Sequence, residues 1–321
     1  MRRLLTSAMV ACSVLALAWP ASADSYPDRP VHLIVGFAPG GTTDITARLI
    51  AQALSDRWGQ QVVVDNRPGA GTAIGAALVA QAPPDGYTLF QNSSSQVAVG
   101  LIHKQLSYDP INDFTPISKV LSTPNIILVN KAIPARNLPE LIALARAKPG
   151  QLSYGNPGLG TITHLGGELF KQMANVDIVA VPYRGGALSI QALISGELPM
   201  TFNTLPEVMS QVQGGTVRAI AVTTAKRAAL LPDLPTIGET VPGYEVEIWQ
   251  AWLGPAGMKP ALVAKINADL VTVLASPQLH ARFAELGAEA VSSTPDALMT
   301  TMRTELARWT RVVQIAGIQP E

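Results

Sequence analysis

From Val31 onward, short runs of β-branched and apolar residues alternate with stretches whose apolar positions recur every three or four residues. That alternation predicts an α/β chain. Val31-His32-Leu33-Ile34-Val35 reads as a buried strand, and Ile45, Leu49 and Ala53, with Ile50 and Leu54 beside them, form the stripe of a helix that Gly59 ends. Gln61 to Val64 is the next strand. An Ala-rich helix follows to about Ala82, then a strand from Tyr87 to Gln91 that runs into Asn92-Ser93-Ser94-Ser95. A composition break falls near Ser122-Thr123-Pro124, with a new buried strand from Asn125 to Val129. Asn137, with Pro139 and Glu140 behind it, caps a helix that closes at Pro149-Gly150. Leu152–Gly155, Ile178–Tyr183, Met200–Phe202, Val217–Val222 and Val246–Trp252 read as further strands. Three helices then open at Pro260, Pro277 and Pro295, each with proline in the first turn, where no intrahelical bond needs its N–H. The last is capped by Ser293 or Thr294 and ends before Gly317.

The N-terminus has a different pattern. Met1-Arg2-Arg3 is a positive segment, Leu4 to Leu17 is apolar without charge, and Ala21-Ser22-Ala23 has the small-x-small spacing of a secretory cleavage site. Residues 1–23 therefore read as a signal peptide cut after Ala23, and the mature chain as exported. The alternatives are a lipoprotein signal at Cys12, which sits in the middle of the apolar run, and a membrane anchor, for which the run is shorter than the roughly 20 residues a bilayer needs.

Composition narrows the function classes. Cys12 is the one cysteine of the 321 residues, so a disulfide framework, a thiolate metal site and a thiol nucleophile are excluded. Lys+Arg and Asp+Glu are both 23 and aromatics make up 5%, which argues against a nucleic-acid groove. Removing Arg2 and Arg3 with the leader leaves a net charge of −2. Two segments carry candidate chemistry. Gly36-Phe37-Ala38-Pro39-Gly40-Gly41-Thr42 and Gly155-Asn156-Pro157-Gly158-Leu159-Gly160-Thr161 each lead from a strand through a Pro/Gly loop to a helix start. Glycine lets the backbone approach a ligand, and the free N–H groups of a helix start attract anions. Two such cradles, one on each half of the chain, suit the two ends of a small anion. The ordinary alternative is a pair of structural βα turns.

Other motifs are missing or ambiguous. No Gly-Lys-Ser/Thr completes a phosphate loop, Gly69-Ala70-Gly71 lacks the third glycine of a dinucleotide fingerprint, and no Gly-x-Ser-x-Gly elbow occurs. His32, His103, His164 and His280 have no partner at metal-ligand spacing, so no metal or cofactor is expected. His32 reads as packed and His280 as solvated, whereas His164, in the first turn after the second cradle, reads equally as a ligand contact or a structural residue. Asp44 reads as a helix-start residue ahead of a ligand contact. Arg67 and Arg184 read as salt-bridge formers ahead of a carboxylate clamp.

Several segments resemble the Bug family, the periplasmic substrate-binding receptors of tripartite tricarboxylate transporters. They are Tyr26-Pro27-Asp28-Arg29-Pro30, Val35 to Asp44, Val64-Asp65-Asn66-Arg67-Pro68-Gly69-Ala70-Gly71, Pro84-Asp85-Gly86-Tyr87-Thr88-Leu89, Val181-Pro182-Tyr183-Arg184-Gly185 and Pro232-Asp233-Leu234-Pro235-Thr236. The resemblance implies a type II periplasmic binding protein fold: two α/β lobes with a hinge and a ligand cleft between them. Lobe 1 is expected to comprise residues 24–123 plus 245–321, and lobe 2 residues 124–244. It further implies a monomeric periplasmic receptor, not an enzyme, that passes a small carboxylate to a tripartite tricarboxylate-type permease, unless the protein is an orphan. A sensor reporting to a membrane signalling protein and a periplasmic hydrolase are the alternatives. Carried over by position, the ligand contacts are Phe37, Pro39, Gly40, Gly41, Thr42, Ser93 and Ser94 in lobe 1. In lobe 2 they are Gly160, Thr161, His164, Tyr183 and Asn203. Asn203 replaces an aspartate found in many relatives, so amine-bearing acids are expected to bind poorly.

Overall fold

The computed structural model describes residues 26–320. The expected leader, Cys12 and the cut after Ala23 lie outside the described residues. In one half of the molecule, β1 (Val31–Val35) runs parallel between β2 (Val62–Asn66) and β3 (Thr88–Ser93). In the other, β5 (Leu152–Asn156) runs parallel between β6 (Ile178–Pro182) and β7 (Met200–Thr204). Two long antiparallel strands join the halves. β4 (Phe114–Val129) pairs through its first part with β9 (Glu247–Pro255), which also pairs with β3. Its last residues pair with β7 and β8 (Arg218–Val222). The two-residue β10 (Glu289–Ala290) lies against β4 at Leu121 and Ser122.

Alternation within a strand places helices on both faces. Val31, Leu33 and Val35 pack under α1 (Thr42–Trp58) with its Ala47, Ile50 and Leu54. Ile34 points the other way, into the cluster that holds Ala73, Ala76 and Val79 of α2 (Ala73–Ala80). Burial on both faces is why these strands read as unbroken apolar runs.

The break expected at Ser122-Thr123-Pro124 is not an element boundary, because β4 continues through it for 16 residues. Pro124 lies where β4 leaves β9 and β10 for β7 and β8, a changeover at which a ladder N–H can be missing. The serine run that ends β3 opens a helix, α3 (Ser95–Ile102), which apolar patterning alone did not reveal. α4 (Leu138–Ala147) carries the expected Asn137 cap, its side chain accepting the Glu140 N–H at 2.9 Å. α5 (Ile162–Ala174), α6 (Gly186–Ser195) and α7 (Leu205–Gln213) cover the second group of strands. α8 (Pro260–Leu274), α9 (Pro277–Glu285) and α10 (Pro295–Ala316) start at their prolines. Thr294, not Ser293, caps α10, accepting the Ala297 N–H at 3.2 Å. Leu298, Met302 and Trp309 of α10 are fully buried in one cluster with Val97 of α3 and Leu165 of α5. The last helix thus ties the two halves together.

Candidate functional site

Between the halves lies a cavity of about 260 Å³. Its first wall is the loop from β1 to α1. A Cβ at Gly36 would come within 2.8 Å of Thr72, so only glycine lets the strand turn there. Asp44, in the first turn of α1, accepts the Gly40 N–H at 2.9 Å and pairs with Arg48 at 2.9 Å. Burial opposes its ionisation, but those bonds and the Arg48 charge outweigh it and hold its carboxyl below the usual range. Asp44 therefore shapes the loop. The N-cap of α1 is Gly41, which has no side chain to cap the helix, and the N-terminus of α1 faces the cavity through Gly41, Thr42 and Thr43.

The opposite wall is the loop from β5 to α5. The Asn156 side chain accepts the Gly158 N–H at 3.0 Å, and the Thr161 hydroxyl donates to the Gly158 carbonyl at 2.7 Å. Thr161 is the N-cap of α5, its oxygen accepting the His164 N–H at 3.2 Å. His164 is buried behind this loop, where its Nδ1 accepts the Gly160 N–H at 3.4 Å and burial lowers its pKa. The next helix N–H, from Ile162, is donated to the Ser95 hydroxyl at 3.2 Å, a bond that crosses the cavity floor. Ser93 completes that floor, its hydroxyl 2.9 Å from that of Ser95.

Of the residues expected at the site, Phe37, Pro39, Gly41, Thr42, Ser93 and Thr161 line the cavity. Gly40 and Gly160 lie in the loops beside it, and His164 lies beneath. The Ser94 hydroxyl is buried without a protein partner. Tyr183 turns to the surface and donates to Glu197 at 3.2 Å. Asn203 sits behind the wall, donating to the Gly186 carbonyl and to Glu207, both at 3.3 Å.

A third wall lies beyond the two cradles. It comprises Arg184, Gly185, Gly186 and Ala187 at the start of α6, with Thr204 and Glu207 at the start of α7. Tyr183-Arg184-Gly185-Gly186 repeats the strand-to-glycine-to-helix pattern of the two cradles, so the signal was present in the sequence. Thr204-Leu205-Pro206-Glu207 has the spacing of a capping box, but Thr204 caps nothing. Its hydroxyl instead lies 2.6 Å from that of Thr42, and Glu207 accepts the Thr42 N–H at 3.4 Å. Burial pushes the Glu207 carboxyl above the usual range, against the bonds from Asn203, Thr42 and Thr204. The carboxyl group missing at position 203 is thus present four residues later, in a setting where burial disfavours its ionised form.

Below the cavity, Gln250 and Gln91 form a buried polar layer. The Gln250 carbonyl oxygen accepts from Thr46 and from Gln91, each at 2.8 Å, and its amide donates to Thr43 at 3.1 Å. The Gln91 carbonyl oxygen accepts the Trp252 indole N–H at 2.8 Å. Among the described residues no cluster of His, Cys, Asp and Glu could hold a metal ion, and no helix is long and apolar enough to cross a membrane.

Residues 46–318 match the model of the tripartite tricarboxylate transporter family receptor. The protein BugT of Bordetella pertussis is 35% identical over 320 residues, covering 99% of this chain and 98% of that protein. Among solved structures, R. palustris Rpa4515 with adipate superimposes with a TM-score of 0.89 at 40% identity, covering 92% of this chain and all of that one. The periplasmic binding protein BugD superimposes with a TM-score of 0.87 at 33% identity, again covering 92% of this chain and all of that one.

Proposed function

We propose, from the premise that the chain belongs to the tripartite tricarboxylate transporter receptor family, that it captures a small amine-free dicarboxylate in the cleft between its two halves. Members of this family are periplasmic solute receptors: they bind and do not catalyse. The fold is the two-lobed α/β fold of periplasmic binding proteins. The observation that carries the ligand class is the convergence of the starts of α1, α5 and α6 on one cavity where hydroxyls such as Thr42, Ser93 and Thr161 are set among apolar side chains such as Phe37, Leu188 and Ile248, as suits a chain of methylenes with a carboxylate at each end. Helix starts supply N–H donors and partial positive charge, which favour carboxylates and disfavour ammonium groups. At about 260 Å³ the space lies just below the roughly 300–1,000 Å³ typical of pockets for drug-sized ligands, as suits a short diacid. The adipate held by the R. palustris relative is of this class.

The ligand contacts in this reading are Phe37, Pro39, Gly40, Gly41, Thr42, Ser93, Ser94, Gly160 and Thr161. His164 and Asn203 support them from behind, and Tyr183 fixes the loop before α6. The lobes are residues 24–123 plus 245–321 and residues 124–244, hinged on β4 and β9. The exported receptor delivers its ligand to a tripartite tricarboxylate-type permease, with the leader cut after Ala23.

A thermal-shift screen over succinate, adipate, citrate, aspartate and glutamate tests the ligand class. A true ligand at 100 times its Kd stabilises by about 2.7 kcal/mol. Small-angle scattering with the best ligand should show a smaller radius of gyration than without it. If no carboxylate stabilises the protein, the ligand class is wrong.

A further inference from the structure

Glu207 places a carboxylate inside a cavity otherwise suited to receive one. Three independent features put it there. First, the Thr204-x-x-Glu207 pair has capping-box spacing, yet neither side chain caps the backbone of its own helix and both reach the start of α1, Glu207 taking the Thr42 N–H at 3.4 Å and Thr204 meeting the Thr42 hydroxyl at 2.6 Å. Second, the carboxylate also abuts the start of α6, since a Cβ at Gly186 would collide with it, the carboxyl carbon standing 2.7 Å away. Third, the N-cap residues of α1 and α6 are glycines with no side-chain cap, so apart from the Thr42 N–H taken by Glu207 the N–H groups of their first turns are open to an anion.

Every group bonded to Glu207 is a donor: the Thr42 N–H, the Asn203 amide and the Thr204 hydroxyl. Its charged neighbours are few. On α1, Asp44 is already paired with Arg48 at 2.9 Å. Before α6, Arg184 is exposed at the cleft mouth and makes no ion pair among the described residues. On α5, His164 is buried with its Nδ1 accepting from Gly160, and β9 presents the neutral Gln250 and Ile248. An ammonium would face the positive ends of two helices with donors around it, so Glu207 is poorly placed to receive one. A ligand carboxylate is drawn to the same donors and meets Glu207 there. Two carboxylates at one site cannot both stay ionised and come to share a proton.

We propose that Glu207 is a specificity-determining residue that makes carboxylate capture proton-linked: ligand and Glu207 share one proton across the mouth of α1 and α6. This inference rests on the receptor reading above. Its sign is fixed. Binding raises the pKa of the pair, so a proton is taken up between the free and bound values, and affinity falls as pH rises through that window. Burial already disfavours the ionised form in the free protein, which moves the window upward from the ordinary carboxylate range.

The test is calorimetry of adipate, succinate, aspartate and glutamate binding between pH 5 and pH 8.5, in buffers of different ionisation heat, on the wild type and Glu207→Gln. The expected result is uptake approaching one proton per diacid in the wild type, with affinity falling up to about tenfold per pH unit. In Glu207→Gln the uptake is lost and affinity is flat with pH. Uptake near zero throughout in the wild type, a measurement that needs no variant, overturns the proposal. Equal uptake in Glu207→Gln also overturns it, by placing the proton on His164 or on the ligand alone. Aspartate or glutamate binding as tightly as the diacids, with that binding lost in Glu207→Gln, overturns it by making Glu207 an ammonium counter-ion. Failure of both proteins to bind any of the four acids overturns the ligand class itself, and this inference with it.

Discussion

The glutamine layer under the cavity gives a sharp prediction, because the two glutamines differ in one respect. In Gln250→Leu two hydrogen bonds disappear, that from Gln91 to its oxygen and that from its amide to Thr43, along with its share of the single Thr46 hydroxyl proton. None of the abandoned groups is stranded. Thr46 keeps the Thr42 carbonyl at 2.8 Å, Gln91 keeps the Thr46 oxygen at 3.0 Å, and Thr43 faces the cavity, where water can reach it. At about 0.5–1.5 kcal/mol per bond the loss is about 1–3 kcal/mol, partly offset by burial of the leucine. Gln91→Leu removes a comparable set of bonds and also leaves the indole N–H of Trp252 without its acceptor, on a residue with no exposed surface. An orphaned buried donor costs a further ~1–3 kcal/mol. Gln91→Leu should therefore be the less stable variant by that margin, a gap in Tm of about 2–6 °C at about 2 °C per kcal/mol for a chain of this length. Urea denaturation followed by tryptophan fluorescence, with thermal melts beside it, measures both. A Gln250→Leu protein as unstable as Gln91→Leu, or more so, would refute the reasoning, because the orphaned indole would then not be the deciding group.

Three further outcomes follow from the cleft. Gly186→Ala drives a methyl into the Glu207 carboxylate, and overpacking of ~1–3 kcal/mol should weaken diacid binding by about 5- to 150-fold in calorimetry while circular dichroism stays unchanged. Arg184→Ala should weaken binding less than about tenfold, through a slower association rate in stopped-flow that disappears at high salt, since an exposed charge at the mouth steers and does not hold. Asp44→Asn should lower stability at pH 7 by roughly 1 kcal/mol, half-exposed Arg48 limiting the effect. Because the folded protein holds the Asp44 pKa below its ordinary 3.8, that advantage is present above this value and fades as pH falls through the folded-state value. The urea midpoints of the wild type and Asp44→Asn should accordingly lie closer together at pH 3 than at pH 7.

Local signals carried much of the fold. β1 and α1, β5 and α5, and the three proline-opened helices at the C-terminus follow from runs of apolar residues bounded by Gly, Pro and capping side chains. Those features act within a few residues of chain, so they are visible in it. The passage of β4 through Ser122-Thr123-Pro124 was not legible, since a proline there reads as a break until the strand's change of partners is known. α3 was missed because its polar start, Ser95-Gln96, is buried in the cleft floor and breaks the apolar pattern.

The cleft divides in the same way. Read without its fold, the chain already specified an α/β architecture with two glycine-rich helix starts, and its motif order pointed to a receptor for small acids. It also placed Thr204 and Glu207 at capping spacing. The folded arrangement alone set which residues face the ligand space. It turned Tyr183 outward to Glu197 and set Asn203 behind the wall. It also drew Glu207 away from its own helix to the start of α1, 165 residues earlier in the chain. The physical reason is range. A cap or turn is settled by neighbouring backbone groups, whereas the fate of a carboxylate depends on which donors another segment of the chain brings within about 3 Å of it.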